Sequence, residues 1–277
     1  MSDVRRTSDE SIALVGLGSL GSRIASRLTA CGVRVIGVDP HPTQGVAASV
    51  DMILSDIGEV SLNSVGRILL VVRMPDQVEL ILERLIGMGI TEAMPVHVVT
   101  TLDVDYARSL VRWRDRGIAV IESPVSGGST TATGELTVLI AGAHTEIERA
   151  FWSEYLASSI FTFADYGQPT VAKLLNNATM AINSRIVIEL LRVGVQLGID
   201  APTLFEIVRS GSGRSRAAER LPTLDGALLD KDLGLLHSAV AGLDVGPLLD
   251  ASFAVITDLA GDLDSIRPRL ESAGATA

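Results

Sequence analysis

The chain has 277 residues and a formal net charge of −10, with 47% hydrophobic and 20% charged residues. This composition can bury a sizeable core and argues against intrinsic disorder. The acidic balance argues against nucleic acid as a partner, because phosphate backbones bind to basic surfaces.

The N-terminus and the single cysteine bear on location and metal binding. Residues 1–10 are polar and lack the apolar segment of a signal peptide, so they predict a loose tail. Charges interrupt every apolar stretch before about 18 residues, which predicts no membrane span, no membrane partner and a cytoplasmic protein. Cys31 stands alone, so no disulfide and no cysteine-based zinc site is possible within the chain. No metal is predicted, and the thiol is expected to be buried.

The first half of the chain alternates short apolar runs with helix-like segments. The runs predict strands at 12–15, 33–38, 50–54, 67–72, 96–99, 118–121 and 136–140, and the segments between them predict helices at 20–30, 77–86 and 103–116. Strands that alternate with helices indicate parallel βαβ units. We therefore predict an α/β fold that begins with a Rossmann-type doubly wound sheet.

The pattern changes near residue 165, after which only helical periodicity remains. The stretch 171–197 predicts a helix of roughly 27 residues, on the order of 40 Å long. Asp200, with Pro202 two residues later, is typical of a helix start, and 230–243 and 247–263 predict two more helices. The predicted organisation is a dinucleotide-binding domain at 11–165, a long interdomain helix, and an all-helical substrate and oligomerisation domain at 166–277.

A glycine-rich loop follows the first predicted strand and precedes the first predicted helix. Its sequence "GLGSLG" comprises Gly16, Leu17, Gly18, Ser19, Leu20 and Gly21. In this context G-x-G-x-x-G is the fingerprint of dinucleotide binding. The first glycine permits a tight turn, the second lets the backbone approach the pyrophosphate, and the third lets helix and strand pack closely.

Asp39 ends the second predicted strand, 18 residues after Gly21. A carboxylate there can accept hydrogen bonds from the adenosine ribose and would repel a 2′-phosphate. The following residues, "PHPTQ", supply no arginine or lysine. We therefore predict NAD rather than NADP as the cofactor. The simpler alternative is that Asp39 only starts a turn before Pro40.

Two later motifs contain residues suited to chemistry. In "PVSGG", Ser126, Gly127 and Gly128 follow a strand and could present backbone N–H groups and a hydroxyl to an anion, although a tight turn would use the same residues. In "KLLNN", Lys173 and Asn177 are four residues apart and so share a helix face. A lysine there could exchange a proton with an alcohol during hydride transfer, although most lysines are solvated surface residues.

Taken in order, "GLGSLG", "PVSGG", "KLLNN" and "KDLGLL" (231–236) resemble the β-hydroxyacid dehydrogenase family. This family includes 3-hydroxyisobutyrate dehydrogenase and tartronate semialdehyde reductase, and more distantly 6-phosphogluconate dehydrogenase. The resemblance covers the chain from about Ser11. It implies an NAD-dependent oxidoreductase that moves a hydride between nicotinamide and a small β-hydroxy acid, and it implies a homodimer or homotetramer.

The resemblance also implies roles for individual positions. Lys173 corresponds to the catalytic lysine, Asn177 to the asparagine that orients the substrate, and Ser126, Gly127 and Gly128 to the loop that grips the carboxylate of a small anionic substrate. The positions that it places near the cofactor are Met74, Pro75, Thr101 and Lys231. Lys231 equally fits a surface lysine at a helix start beside Asp232.

Two departures from the family pattern limit what carries over. Five residues separate Gly128 from Gly134, where the family usually has six, so the physiological substrate cannot be inferred. Met180 lies seven residues after Lys173, where the 6-phosphogluconate branch has an acid. The change disfavours oxidative decarboxylation and favours simple alcohol oxidation.

Two alternatives remain at this point. An NADPH-dependent imine reductase of the same fold would usually lack the lysine, so Lys173 counts against it. A non-catalytic NAD-binding protein would not need the Lys173–Asn177 pair, which is intact.

Overall fold

The computed structural model describes residues 11–271, and the predicted tail at 1–10 lies outside them. Contacts between residues divide the chain into two compact units, the first ending at Lys173 and the second beginning at Leu174. The sequence predicts a domain boundary near residue 165, and the division between the two compact units lies within the long helix that follows.

The first unit contains the described strands and five helices. The strands are β1 (Ser11–Val15), β2 (Val35–Val38), β3 (Met52–Leu54), β4 (Val65–Leu70), β5 (Pro95–Val98), β6 (Ala119–Glu122), β7 (Val125–Ser126), β8 (Leu136–Gly142) and β9 (Ala157–Thr162). The helices are α1 (Ser19–Ala30), α2 (Pro75–Gly87), α3 (Val104–Ser109), α4 (Val111–Arg114) and α5 (Glu146–Tyr155).

The strands form a sheet in the order β3-β2-β1-β4-β5-β6-β8-β7, and β9 pairs with β8. From β3 to β6 all neighbours are parallel, which is the predicted doubly wound arrangement. β8 runs antiparallel to β6 and β7, and β9 runs parallel to β8. This reversal, α5 and β9 were not predicted from the sequence.

Alternate residues of β1 enter two different cores, because side chains of a strand point to opposite faces of a sheet. Ile12 and Leu14 pack in a cluster that includes residues of α1 and α5. Ala13 and Val15 pack in a cluster that includes residues of α2, α3 and α4. Both faces of the sheet are therefore covered, as expected for a parallel sheet.

The carboxyl ends of β1, β2, β4, β5 and β6 lie at one edge of the sheet, since these strands are parallel. In doubly wound folds ligands bind at this edge, where the strand order reverses. Here the order reverses between β1 and β4. The loops after β1, β2, β4 and β5 hold the predicted cofactor residues Gly16, Asp39, Met74 and Thr101.

A single helix of 29 residues, α6 (Gln168–Gln196), confirms the predicted long helix. The helices of the second unit that follow it are α7 (Ala201–Ser210), α8 (Arg216–Arg220), α9 (Gly226–Ala239), α10 (Pro247–Val255) and α11 (Leu259–Glu271). The Asp200 side chain accepts a hydrogen bond from the Thr203 N–H, so the predicted start of α7 is confirmed.

The stretch 247–263, predicted as one helix, is two helices. The break follows from a contact made by α9, because both Asp230 carboxylate oxygens accept backbone hydrogen bonds, from Leu259 and Ala260. A side chain that binds these N–H groups begins a new helix at α11.

The expectation of a buried thiol at Cys31 is wrong. Cys31 follows the last residue of α1 and is exposed. It lies past the buried stripe of α1, which ends at Leu28. In the stretch 11–271, no helix is long and apolar enough to cross a membrane.

Candidate active site

The glycine loop forms a tight turn between β1 and α1. Gly16 has φ +97°, and a Cβ added to it would meet the Val71 carbonyl oxygen at 2.6 Å. A Cβ on Gly21 would lie 1.9 Å from the Gly16 oxygen, so helix and strand could not pack as closely with any other residue. A Cβ on Gly18 would meet no atom of the described residues within 4 Å. Gly16 and Gly21 are therefore needed for the turn itself, and Gly18 leaves open space that fits a pyrophosphate at the start of α1.

Asp39 holds the glycine loop from the neighbouring strand. One carboxylate oxygen accepts the Leu17 N–H at 2.7 Å, and the other accepts the His41 N–H at 2.8 Å. The second contact is the local turn that the simpler interpretation expected. Carboxylate oxygens have further lone pairs, so ribose hydroxyls can still bind to Asp39.

Met74 and Pro75 begin α2 in the turn after β4. Met74 is the residue before the helix and is 52% exposed, and Pro75 occupies its first turn. The Gln77 side chain accepts the backbone N–H groups of Arg73 and Met74. Gln77, which the sequence analysis missed, thus fixes the shape of this turn.

Thr101 lies half-buried after β5, and its neighbour Thr100 joins two loops of the site. The Thr100 hydroxyl donates to the Val72 carbonyl at 2.7 Å. The loop after β5 is therefore held against the loop after β4. Sequence reasoning did not single out Thr100, because a threonine after a strand is common.

Residues 126–134, called the substrate loop below, leave the end of β7 in a sharp turn. Gly127 has φ +85°, a conformation that favours glycine. Its carbonyl accepts the N–H and the hydroxyl of Thr130, at 2.7 and 2.8 Å. A short 3-10 helix, Gly128–Thr133, follows. The predicted turn is therefore present, with its glycines at its first bend.

The substrate loop is attached to α1, the helix that follows the glycine loop. Arg23 donates to the Gly128 carbonyl at 3.2 Å, and Arg27 donates to the Ala132 carbonyl at 3.4 Å. A Cβ on Gly128 would lie 3.5 Å from a Leu20 methyl group. The predicted cofactor and substrate segments of the first unit are thus brought together.

Lys173 lies in the second turn of α6 and is only 7% exposed. The start of this helix is held by Glu122, the last residue of β6. Glu122 accepts the Gly167 N–H at 2.6 Å, the Thr170 N–H at 2.9 Å and the Thr170 hydroxyl at 2.6 Å. Burial raises the pKa of the Glu122 carboxyl, and these three donors oppose the rise. No sequence motif indicated a role for Glu122.

Asn177 and Lys231 both contact one buried carboxylate in the second unit. The Asn177 amide donates to Asp232 Oδ2 at 2.6 Å, and the Lys231 ammonium lies 3.2 Å from Asp232 Oδ1. Asn177 is 5% exposed and Asp232 fully buried, whereas 42% of the Lys231 side chain is exposed. The ion pair accounts for Lys231 without a cofactor, so its cofactor role stays a prediction.

Lysine is scarce in this chain. Lys173 and Lys231 are the only two lysines in the sequence, and both lie in motifs of the predicted site. The other basic side chains of the 23 are arginines. Separately, residues 11–271 contain no group of three or more His, Cys, Asp and Glu side chains that could hold a metal ion.

Comparison with known families decides what this arrangement is. Residues 11–152, just over half of the chain, match the NAD-binding domain of 6-phosphogluconate dehydrogenase. Residues 167–257 match a domain described as NAD-binding of NADP-dependent 3-hydroxyisobutyrate dehydrogenase. The chain belongs to the β-hydroxyacid dehydrogenase family. It is an NAD(P)-dependent hydroxyacid dehydrogenase with an N-terminal NAD-binding domain.

Relatives named 3-hydroxyisobutyrate dehydrogenase match this dehydrogenase over most of their length. It is 28% identical over 269 residues to the mitochondrial 3-hydroxyisobutyrate dehydrogenase of Drosophila melanogaster, covering 88% of this chain and 82% of the relative. It is 26% identical over 253 residues to a probable 3-hydroxyisobutyrate dehydrogenase of Mycobacterium tuberculosis, covering 83% and 85%. A shorter match, 36% identical over 108 residues, is to the NAD-dependent L-serine dehydrogenase of Pseudomonas aeruginosa.

Solved structures share the fold of the dehydrogenase. The 3-hydroxyisobutyrate dehydrogenase of Mycobacterium tuberculosis, solved with L-serine, has a TM-score of 0.75 at 23% identity and covers 93% of this chain and 99% of its own. The 3-hydroxyisobutyrate dehydrogenase of Salmonella typhimurium has a TM-score of 0.77 at 20% identity and covers 93% and 100%. These likenesses confirm the predicted combination of a Rossmann-type sheet and helices.

Proposed function

We propose that the enzyme oxidises a small β-hydroxy acid of the 3-hydroxyisobutyrate type with NAD, reversibly and without decarboxylation. The observation that carries this proposal is the burial of Lys173. Charged side chains are seldom this buried, so the burial of Lys173 separates it from an ordinary solvated surface lysine. A buried amine in the predicted catalytic motif can exchange a proton with a bound alcohol rather than with bulk water.

Each residue of the proposed site has one task. Lys173 takes the proton of the substrate hydroxyl in oxidation and returns it in reduction. Asn177, one helical turn further along α6, orients the same oxygen. Ser126 and the backbone of Gly127 and Gly128 bind the substrate carboxylate. NAD, when bound, accepts the hydride from the carbon that bears the hydroxyl.

Glycine geometry and Asp39 support NAD as the cofactor. Gly18 leaves space for the pyrophosphate, and Asp39 places a carboxylate beside the glycine loop, where it would repel a 2′-phosphate. Met180, half-buried on α6, supports oxidation without decarboxylation. A thioether has no proton to donate to an enol, so the acid step of the 6-phosphogluconate branch has no donor at this position.

The relatives suggest which acids to test. Their names include dehydrogenases of 3-hydroxyisobutyrate, L-serine, 2-(hydroxymethyl)glutarate and L-threonate. We would follow NADH and NADPH formation over these four acids. We expect turnover with at least one small β-hydroxy acid and a preference for NAD. Faster reduction of cyclic imines with NADPH, or cofactor binding without turnover on any acid, would overturn the proposal.

The role of Lys173 is tested on the best substrate. Lys173→Ala should lower kcat by about 10²- to 10⁴-fold, the usual contribution of a general acid–base group. Its affinity for NAD, measured by fluorescence titration, should stay unchanged. Lys173→Arg should be similarly impaired, because the guanidinium keeps the charge but does not give up its proton. Wild-type turnover in either variant would remove the lysine from the mechanism.

We also propose the predicted cytoplasmic location and homo-oligomeric assembly. Ile186, Leu190, Val193 and Leu197 recur at helical spacing and are 45, 53, 49 and 76% exposed, which supports burial against a second copy of the chain. Light scattering on Leu190→Lys and on wild type would test the assembly. An unchanged mass in both, equal to one chain, would refute it.

A further inference from the structure

We propose that Glu122 is the positioning residue for Lys173, and that it fixes this lysine relative to the substrate loop. The inference rests on the proposed function of Lys173 as the proton carrier. It concerns a residue that neither the sequence motifs nor the proposed chemistry uses. Its evidence lies entirely within the first unit.

Glu122 stands at a rigid point of the sheet. It is the last residue of β6 and is 1% exposed. Its backbone pairs with Val98 of β5 on one side and with Ala141 of β8 on the other. Because strands on both sides pair with this backbone, the Glu122 Cα is held in a fixed position.

From this position the Glu122 carboxylate reaches the first turn of α6. It accepts three hydrogen bonds, from the Gly167 N–H, the Thr170 N–H and the Thr170 hydroxyl. Thr170 lies three residues before Lys173 and therefore in the adjacent turn of the same helix face. The carboxylate thus does for α6 what a local N-cap does for other helices, but from 45 residues away.

A second contact attaches the same segment to the same strand. The Tyr166 hydroxyl donates to the Val120 carbonyl at 2.6 Å. Val120 precedes Glu122 by two residues on β6. The segment that enters α6 is therefore bound to β6 on both sides of the helix start.

The other end of the arrangement is the substrate loop. Ser126 follows Glu122 by four residues, so β6 leads directly into the loop that would hold the substrate carboxylate. The end of β6 thus holds the first turn of α6, which precedes Lys173, and leads along the chain to Ser126, whose backbone pairs with Thr137 of β8. Since a misplacement of about 1 Å can lower a rate by about 10²-fold, this link bears on the rate and not only on stability.

The test compares Glu122→Gln with a matched loss of a helix cap elsewhere. Glutamine has one carbonyl oxygen, so it cannot accept all three hydrogen bonds in the same way. We expect Glu122→Gln to lower kcat by about 10- to 100-fold with the KM for NAD unchanged. The control Asp200→Ala removes the cap of α7 and should lower the melting temperature without changing kcat.

A double-variant cycle assigns the effect to Lys173. If Glu122 acts through the lysine, Glu122→Gln should change the residual rate of Lys173→Ala very little. Where that rate is too low to measure, the rate that added methylamine restores is compared between Lys173→Ala and the double variant. If Glu122→Gln lowers the rate equally in wild type and in Lys173→Ala, or does not lower it in wild type, the inference is overturned. Wild-type turnover in Lys173→Ala would instead overturn the proposed function.

A spectroscopic readout uses the scarcity of lysine. Protein labelled with ¹³C-lysine should give two lysine environments, Lys173 and Lys231, assigned with Lys173→Arg. Glu122→Gln should shift the Lys173 signal and leave the Lys231 signal in place, whereas Asp200→Ala should move neither. If Glu122→Gln does not fold, Thr170→Val removes one of the three donors and should give a smaller shift and rate loss. An unmoved Lys173 signal in the folded variant would count against the inference.

Discussion

The Asp39 carboxylate accepts the backbone N–H of Leu17 at 2.7 Å, which ties the end of β2 to the middle of the glycine loop. The residue that would select the cofactor therefore also holds the loop that would bind its pyrophosphate. A substitution at Asp39 should act on both the choice of cofactor and the geometry of the loop. A substitution that keeps the size of the side chain but removes its charge separates the two effects.

We predict that Asp39→Asn narrows the preference for NAD over NADP by about tenfold, the effect of removing roughly 1.4 kcal/mol of discrimination. The amide keeps an oxygen for the Leu17 N–H but no longer repels a 2′-phosphate. The ratio of kcat/KM for the two cofactors measures this change. A wild type that prefers NADP, or an unchanged ratio in the variant, would contradict it.

The glycine loop offers a matched pair of substitutions. Gly21→Ala should destabilise the fold by about 1–3 kcal/mol, because the new methyl would meet the Gly16 carbonyl oxygen. Gly18→Ala should leave the melting temperature close to that of wild type, since its Cβ enters open space, but should weaken NAD binding. Thermal unfolding and NAD titration of both variants check this. Equal melting temperatures for the two variants would show that the close packing at Gly21 is not limiting.

The contact between Asn177 and Asp232 predicts a stability effect besides any effect on catalysis. Asn177→Leu would leave the fully buried Asp232 carboxylate with its Lys231 ion pair but without its amide donor, and should lower the free energy of unfolding by about 1–3 kcal/mol. The double variant Asn177→Leu, Asp232→Leu should recover part of this loss, because the buried carboxylate that lost its amide donor is gone and the half-exposed Lys231 ammonium can be solvated by water. Urea unfolding measures both. A double variant less stable than the single one would contradict the argument.

The buried hydrogen-bond network around His97 predicts that the folded protein loses stability in acid. The Trp152 indole donates to His97 Nδ1 at 3.2 Å, so this nitrogen accepts and the proton sits on Nε2, which lies 2.6 Å from Glu148. Burial lowers the pKa of His97 more than Glu148 raises it. Burial raises the pKa of Glu148, but its bonds with His97 and the Arg67 charge outweigh this, so its pKa lies below the ordinary value.

The pKa shifts of His97 and Glu148 both make the folded protein less stable as pH falls. As pH falls below 6.5, the unfolded chain protonates His97 whereas the folded protein does not, so stability falls by up to about 1.4 kcal/mol per pH unit. Below pH 4.5 Glu148 adds to the loss, because it stays ionised longer in the folded state. His97→Gln should show a shallower slope between pH 7 and about 5.5. Equal slopes in wild type and His97→Gln would refute the assignment.

Much of the first unit could be predicted from sequence because its signals are local. The run before Gly16 is apolar at every position, and the glycine spacing identifies the turn and the helix that follows. In the second unit, Asp200 followed by Pro202 likewise identifies the start of α7. Strand ends were less certain, since the predicted strand 33–38 begins at Val35 in the structure.

The parts that sequence could not predict depend on distant partners. β9 contains Ser158 and Ser159 and is a strand because it pairs with β8, so its own residues gave little signal. Glu122 caps α6 from 45 residues away, and Asp230 caps α11 from 29. A capping residue can be predicted when it adjoins its helix, but not when the fold brings it there.

The attachment of the substrate loop to α1 has a consequence for how this enzyme can change. Among residues 11–271, Arg23 and Arg27 donate to main-chain carbonyls alone, those of Gly128, Ala132 and Tyr155. Carbonyls are present whatever side chains the loop carries. The exposed Ser129 and Ala132 are therefore free to diverge in evolution, or in a mutant library, while the path of the loop over the cofactor helix is preserved. Thr130 and Thr131 are not, because their hydroxyls donate to the Gly127 and Gly128 carbonyls.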